Sequence, residues 1–369
     1  MFVPAKYAMV FRRILLWPFT VLYSAVLHFR HALYNTGLLK STRPTVPTIA
    51  IGNLALGGTG KTPLLELVLR TLSDTGTLAT LSRGYGRTGS DFHEVAADDR
   101  AERSGDEPVQ VKTKFPDVRV FVGADRVAAI QQINRVAPEV IAIVLDDALQ
   151  HRRLNAGLNI LLTTWQRPYH DDALLPAGKL RDLPSRAKSA QVVVVTKCPG
   201  RPAVVVQQQW RERLGLNEGQ RLFFAGIAYD PLVGVGLPGG PMRRDLRTEV
   251  GAAGGTAVLL FTGIADPEPL LTHVRGSYQN VQHIDFPDHH PFSTADLHRL
   301  ATVFGSFAAG PKTLITTEKD AARLRPVLAG SPLDGLPIHV ISMRTVILNE
   351  PEHFADLIRR HVRPHPAHR

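Results

Sequence analysis

The chain predicts an α/β protein: a parallel sheet covered by helices on both faces, followed by a second, smaller α/β domain. Three observations predict it. Residues 46–52, 140–145, 158–163 and 191–196 are short, continuous apolar runs, as in strands buried on both faces. Stretches of helical character fall between them, at about 62–72 and 125–136. Periodicity lapses over the Gly- and Pro-rich residues 231–256 and then resumes. The resumed pattern gives strands at 257–262, 281–285, 312–316 and 338–342, and helices near 267–275, 293–304 and 350–361. The expected organisation is therefore an N-terminal segment (1–40), a first domain (41–230), a linker (231–256) and a second domain (257–369).

Composition narrows the partners. The 369 residues are 44% apolar and 21% charged, which excludes a disordered or low-complexity chain. Lys and Arg exceed Asp and Glu by 43 to 33, and a net charge of +10 predicts an anionic partner. Cys198 is the single cysteine, so an intramolecular disulfide and a cysteine zinc site are both excluded and a reducing setting fits. Aromatics are only 7% and do not interleave with basic runs, so nucleic acid is not expected as the partner.

The first element is residues 14–27, ILLWPFTVLYSAVL, with 11 of 14 apolar. A helix of that length spans about 21 Å, short of the roughly 30 Å hydrocarbon core. It reads equally well as a helix in the membrane interface, with Trp17, Phe19 and Tyr23 inserted and Arg12, Arg13 and Arg30 on head groups, or as a helix packed on the protein's own core. Pro18 would kink it or mark its start.

The run 46–52 leads into NLALGGTGKTP, residues 53–63. Ala55 stands where the strict phosphate-loop pattern has its first Gly, but Leu56, Gly57, Gly58, Thr59 and Gly60 still form a loop whose N–H groups can approach phosphate, between a buried strand and a helix. Lys61 would reach the β- and γ-phosphates, and the Thr62 hydroxyl would hold Mg²⁺. Such a site needs a carboxylate at the end of a neighbouring strand, and Asp146 and Asp147 follow the run 140–145. The sheet is thus of the P-loop NTPase type. Residues 196–199, TKCP, lack the Asp of a guanine-reading motif, which favours ATP.

Further clusters go beyond a generic ATPase. SRGYGR (82–87) puts Arg83, Tyr85 and Arg87 on a glycine-rich loop suited to an anionic, ring-shaped ligand. GDEP (105–108) and FPDHHPF (286–292) supply a carboxylate and histidines, the groups of a general base, though nothing local says that Asp106 and His289 meet. LLPAGKLRD (174–182) and TTEKD (316–320) read as charged turns.

Together with GADR (123–126) and LDDALQHR (145–152), these segments make the chain resemble the tetraacyldisaccharide 4'-kinases, from the N-terminal helix to about residue 325. The resemblance implies transfer of the γ-phosphate of ATP to the 4'-hydroxyl of a tetraacylated disaccharide 1-phosphate, giving lipid IVA in lipid A biosynthesis. It implies a monotopic enzyme, expected as a monomer, at the cytosolic face of the Gram-negative inner membrane and held there by the N-terminal helix. By motif, Lys61 and Thr62 serve ATP and Mg²⁺, and Asp146 and Asp147 the metal and nucleotide. Asp106 becomes the catalytic base and His289 its partner from the second domain. Arg83, Tyr85, Arg87, Gln150, His151 and Arg181 fall on substrate and nucleotide. The family usually has Arg-Glu where this chain has Arg181-Asp182; Asp is one methylene shorter, which leaves a metal contact from Asp182 open. A metallocentre GTPase or a nucleotide-switched adaptor would share the loop, but neither requires SRGYGR or FPDHHPF.

Overall fold

The computed structural model describes residues 5–234, 255–264, 266–288 and 290–363. Most of the expected linker, residues 235–254, lies outside them, as does His289. The strands in chain order are β1 (Thr48–Asn53), β2 (Leu78–Ser82), β3 (His93–Glu94), β4 (Arg119–Val122), β5 (Ala142–Asp146), β6 (Leu158–Thr164), β7 (Val192–Thr196), β8 (Arg221–Tyr229), β9 (Val233–Gly234), β10 (Ala257–Thr262), β11 (Asn280–Asp285), β12 (Lys312–Thr317), β13 (Ile338–Ile341) and β14 (Met343–Ile347). The helices are α1 (Ala5–Asn35), α2 (Lys61–Thr71), α3 (Ala101–Ser104), α4 (Asp106–Lys114), α5 (Arg126–Val136), α6 (Val204–Arg213), α7 (Glu268–Ser277), α8 (Thr294–Gly305), α9 (Glu318–Leu328) and α10 (Pro351–Val362).

The chain forms two compact units, Met1–Ile227 with Thr345–Arg369, and Ala228–Arg344. The expected second domain, 257–369, is therefore corrected at both ends. Strand β9 joins its sheet from the N-terminal side, pairing antiparallel with β13. Helix α10 belongs to the first unit: Phe354, Ile358 and Val362 are buried in the same core as Ile49, Leu64 and Val68. Burying each such side chain is worth about 1.5–3 kcal/mol. An amphipathic helix docks where an apolar stripe is left uncovered, whatever its place in the chain.

The first sheet runs β14-β8-β7-β6-β1-β5-β2-β4-β3. From β8 to β4 every pair is parallel. Fully buried strands such as TIAIGN and VVVVT explain the covered, parallel arrangement. Helices α2 and α10 cover one face and α5 the other. Strand β1 is central, and the register sets Ile51 beside Asp146. The loop after β1 and the acids after β5 thus emerge at the same edge, where parallel sheets place ligand chemistry.

The second sheet runs β11-β10-β12-β13-β9, parallel except at β9. Its core holds Leu259, Phe261, Leu300 and Leu314 on one face and Val258, Leu260 and Ile315 on the other. TTEKD, expected as a turn, is instead the end of β12 and the start of α9, with the Thr317 hydroxyl accepting from the Asp320 N–H. Strands β4 and β8 and helices α4 and α6 escape a reading by periodicity because they are short or mixed in character.

Candidate active site

The loop after β1 carries the features a phosphate needs. Gly57 and Gly60 take positive φ (+111° and +85°), which side-chain-bearing residues adopt only with strain. Open space lies where side chains of Gly57 and Gly58 would point, so nothing screens the backbone there. Helix α2 starts at Lys61, directing its unsatisfied N–H groups and positive dipole end at the loop. The loop is braced from both sides. The Leu56 N–H donates to the Lys179 carbonyl (2.8 Å) and Ala55 bridges Leu180, so the segment 174–182 forms its flank. On β7, Thr196 Oγ1 lies 2.8 Å from the Thr59 carbonyl. Thr59 Oγ1 is itself buried with no hydrogen-bond partner among the described residues.

A charged network closes around Asn53, a fully buried residue at the end of β1. Lys61 Nζ lies 3.5 Å from Asn53 Oδ1 and 3.9 Å from Asp147 Oδ1. Arg181 grips the Asp147 carboxylate with both terminal nitrogens, Nη1 at 2.8 Å from Oδ2 and Nη2 in close contact with Oδ1. The same Nη2 donates to Asn53 Oδ1 at 2.5 Å. Gln150 Nε2 donates to the Asn53 carbonyl at 2.5 Å. Lys61, Asp147, Gln150 and Arg181 are thus brought together, and Asn53, which the sequence reading passed over, is the common partner of Lys61, Gln150 and Arg181. A polar residue ending an otherwise apolar strand was the signal available.

The neighbouring acid, Asp146, faces elsewhere. Thr62 Oγ1 lies 3.4 Å from Glu107 Oε1, and Thr62, Glu107 and Asp146 line a cavity of about 20 Å³ with Thr80 and Ser82. Burial, reinforced by the Glu107 carboxylate, pushes the Asp146 carboxyl up to about 7. Its Oδ1 is buried without a partner among the described residues. An orphaned buried carboxylate oxygen beside a hydroxyl and a second carboxylate is a hard-oxygen donor set, which fits Mg²⁺. Among the described residues no group of three or more His, Cys, Asp and Glu gathers. Glu107 was missed because the reading of GDEP stopped at its first acid. Asp147, expected at the metal with Asp146, is placed in the Arg181 and Lys61 network.

The loop 83–87 packs on the start of α4. Gly84 and Gly105 both have positive φ (+68° and +93°), and a Cβ on Gly105 would come 3.1 Å from Gly84 Cα and the Tyr85 carbonyl. This contact ties SRGYGR to Asp106, the first residue of α4. Gly105→Ala is expected to cost about 1–3 kcal/mol, because φ +93° with ψ +151° is a backbone region that essentially only glycine reaches, a loss read by urea denaturation. Tyr85 is 90% exposed. Arg87 is committed to the loop, donating to the Asp91 carbonyl at 2.7 Å.

Arg126, the Arg of GADR, is almost fully buried. It donates to the Gly123 carbonyl and lies 3.5 Å from that of Asp146. Burial pulls its guanidinium down to about 10; Asp146 and Asp147 oppose that, while Arg83 and Arg87 add to it. Burial, with Arg126 and Arg83, also lowers the His151 imidazole. Arg83 and Arg126 therefore lie close to His151 and help hold its imidazole below its usual value, and Arg126 is a neighbour that motif reading alone did not single out.

Asp182 does not face this site. His31 Nε2 lies 2.6 Å from its Oδ1, and both residues are buried. Arg152 Nη1 stands 3.2 Å from His31 Nδ1 and can only donate, so the neutral imidazole carries its proton on Nε2 and gives it to Asp182. Burial lowers the His31 pKa from its usual 6.5, against the pull of Asp182 and with Arg186 and Arg152 adding to the drop. The unfolded chain therefore takes up this proton at a higher pH than the folded one, and stability is lost as pH falls below the unfolded value. The fall in melting temperature between about pH 7 and 5 is expected to be smaller in His31→Gln than in the wild type.

Two residues expected on lipid are also turned inward. Tyr23 Oη donates to the Arg181 carbonyl (2.8 Å) and Arg30 Nη2 to that of Gln150 (3.1 Å). Outward, Leu15, Phe19, Leu22, Val26 and Phe29 recur every three or four residues and are all more than half exposed. Pro18 lies within α1. No described helix is long and apolar enough to cross a membrane.

Comparison with known proteins finds relatives that match nearly the whole chain. The family model for Tetraacyldisaccharide-1-P 4'-kinase matches residues 12–363. A tetraacyldisaccharide 4'-kinase of Flavobacterium johnsoniae is 40% identical over 95% of this chain and 97% of its own, and one of Parabacteroides distasonis is 40% identical over 94% of each. The crystal structure of LpxK from Aquifex aeolicus, in complex with ATP, superposes with a TM-score of 0.69 at 26% identity, covering 95% of this chain and 99% of that one. With a phosphate loop, an Asn53-centred network and matches running nearly from end to end, the chain belongs to the tetraacyldisaccharide-1-P 4'-kinase family.

Proposed function

We propose that this protein transfers the γ-phosphate of ATP to the 4'-hydroxyl of a tetraacyldisaccharide 1-phosphate, working as a monomer at the cytosolic face of the bacterial inner membrane. The observation that carries the reading is the convergence of Lys61, Arg181 and Gln150 on Asn53 at the phosphate loop, beside the Thr62, Glu107 and Asp146 oxygens. Loop N–H groups and Lys61 hold the triphosphate and take up the charge on the group in flight. Arg181 keeps Asp147 from capturing Lys61 outright by engaging the same carboxylate. Thr62, Asp146 and Glu107 would hold Mg²⁺, which supplies charge neutralisation between the phosphates when bound. Asp106 accepts the hydroxyl proton as the sugar oxygen bonds to the γ-phosphorus and the bond to the β-phosphate bridge breaks, with ADP leaving. The family pattern also assigns His289 to the catalytic machinery. Arg83 and Arg126 supply positive charge for the anionic disaccharide, and His151 beside them stays neutral. Incubation with labelled ATP and a tetraacyldisaccharide 1-phosphate in detergent should yield a bisphosphorylated lipid; no labelled lipid would overturn the assignment.

The exposed stripe of α1 serves as the membrane contact. Each apolar side chain moved into the acyl boundary contributes about 1.5–3 kcal/mol, enough with basic neighbours for reversible binding. The triple variant Phe19→Ser, Leu22→Ser, Phe29→Ser is expected to lose most co-sedimentation with anionic vesicles while keeping activity on detergent-dispersed lipid. Undiminished pelleting would move the membrane contact elsewhere.

A further inference from the structure

Helix α1 is held to the first unit mainly by polar contacts. Among its described side chains only Leu27 and His31 are buried, which is little apolar area to fix a helix. The polar contacts fall at selected points. Tyr23 holds the carbonyl of Arg181, and Arg30 that of Gln150. These are the two residues whose side chains meet at Asn53, Arg181 at Oδ1 and Gln150 at the carbonyl. His31 sits between them, bonded to Asp182 and Arg152, the neighbours of Arg181 and two residues on from Gln150. One helix thus grips the backbone of both arms of the network that surrounds Lys61.

We infer that Tyr23 and Arg30 are positioning residues for phosphoryl transfer: by fixing the main chain at Arg181 and Gln150 they set the side chains that hold Asn53 and Asp147, the two partners of Lys61. The helix therefore has two separate faces, an apolar one turned outward and a polar one that shapes the nucleotide end of the site. The inference rests on the kinase reading for its chemistry but not for its geometry. A lost hydrogen bond releases a backbone carbonyl rather than a ligand, so the effect is on placement, to which phosphoryl transfer is sensitive.

The test is a double-mutant cycle on the full chain, with lipid dispersed in detergent so that membrane attachment plays no part. Tyr23→Phe keeps the ring and removes only the donor; Arg30→Met keeps an apolar stem and removes the second. Each is expected to lower kcat about three- to tenfold, the worth of one hydrogen bond, with vesicle sedimentation and melting temperature near wild type. In an Arg181→Ala background, Tyr23→Phe should cost little more, because the arm it positions is gone. The same cycle is read as the Kd of a fluorescent ATP analogue without lipid. Wild-type constants in both single variants, or a Tyr23→Phe penalty that multiplies undiminished with that of Arg181→Ala, would overturn the inference. A wild-type protein inert towards the lipid would instead remove the kinase reading, and the nucleotide-binding cycle would still decide this point.

Discussion

Lys61→Ala is expected to lower the rate of phosphoryl transfer by about a hundredfold or more, the scale on which a single preorganised charge donor matters. The ammonium lies 3.5 Å from Asn53 and 3.9 Å from Asp147, held at the loop rather than free in solvent. Its charge is needed most as the γ-phosphoryl group separates from ADP, so the loss falls on kcat more than on KM for the lipid. Folding should survive, because Lys61 opens α2 and alanine is a better helix former. Circular dichroism and the melting curve check the fold, and initial rates with saturating lipid check the chemistry. A rate near wild type would remove Lys61 from the mechanism.

Asp106→Asn is expected to be comparably severe, about a hundred- to ten-thousandfold if the carboxylate is the base. Asn retains the shape and place of the side chain in the first turn of α4 but cannot accept the proton. Nucleotide binding should be unchanged, since Lys61, Thr62 and Asn53 are untouched. That contrast separates the two variants: Lys61→Ala weakens the hold on the triphosphate, whereas Asp106→Asn leaves a loaded enzyme that does not turn over. Preserved lipid phosphorylation in Asp106→Asn would assign the proton transfer to another group.

What could be read from sequence follows from the range of the forces involved. The run 46–52, the glycine loop and the start of α2 are near one another in the chain, and the physics of each is local: apolar burial, positive φ, a helix N-terminus. The acids at 146 and 147 were placed correctly at a strand end because a buried parallel strand must deliver its following residues to the sheet edge. Their separate partners were not legible. Adjacent side chains at the end of a strand leave in different directions, and here Asp146 turns to Thr62 and Glu107 while Asp147 turns to Arg181 and Lys61. Glu107 was hidden for the same reason: its neighbour Asp106 matched the motif, and spacing alone cannot say which acid of a pair meets the hydroxyl of Thr62.

The sequence by itself determined the class of the fold, the phosphate loop and the family, since these rest on contiguous residues and on motifs that survive without knowing what they touch. The tertiary structure alone decided the fate of the +10 chain's first helix. Tyr23, Arg30 and His31, which in sequence belong to an apolar, basic segment, are polar groups partly or wholly out of water and must find partners. They find them more than a hundred residues away, at Arg181, Gln150 and Asp182. Such pairings are settled by which unsatisfied groups the packed sheet brings within reach, and spacing along the chain carries no record of them.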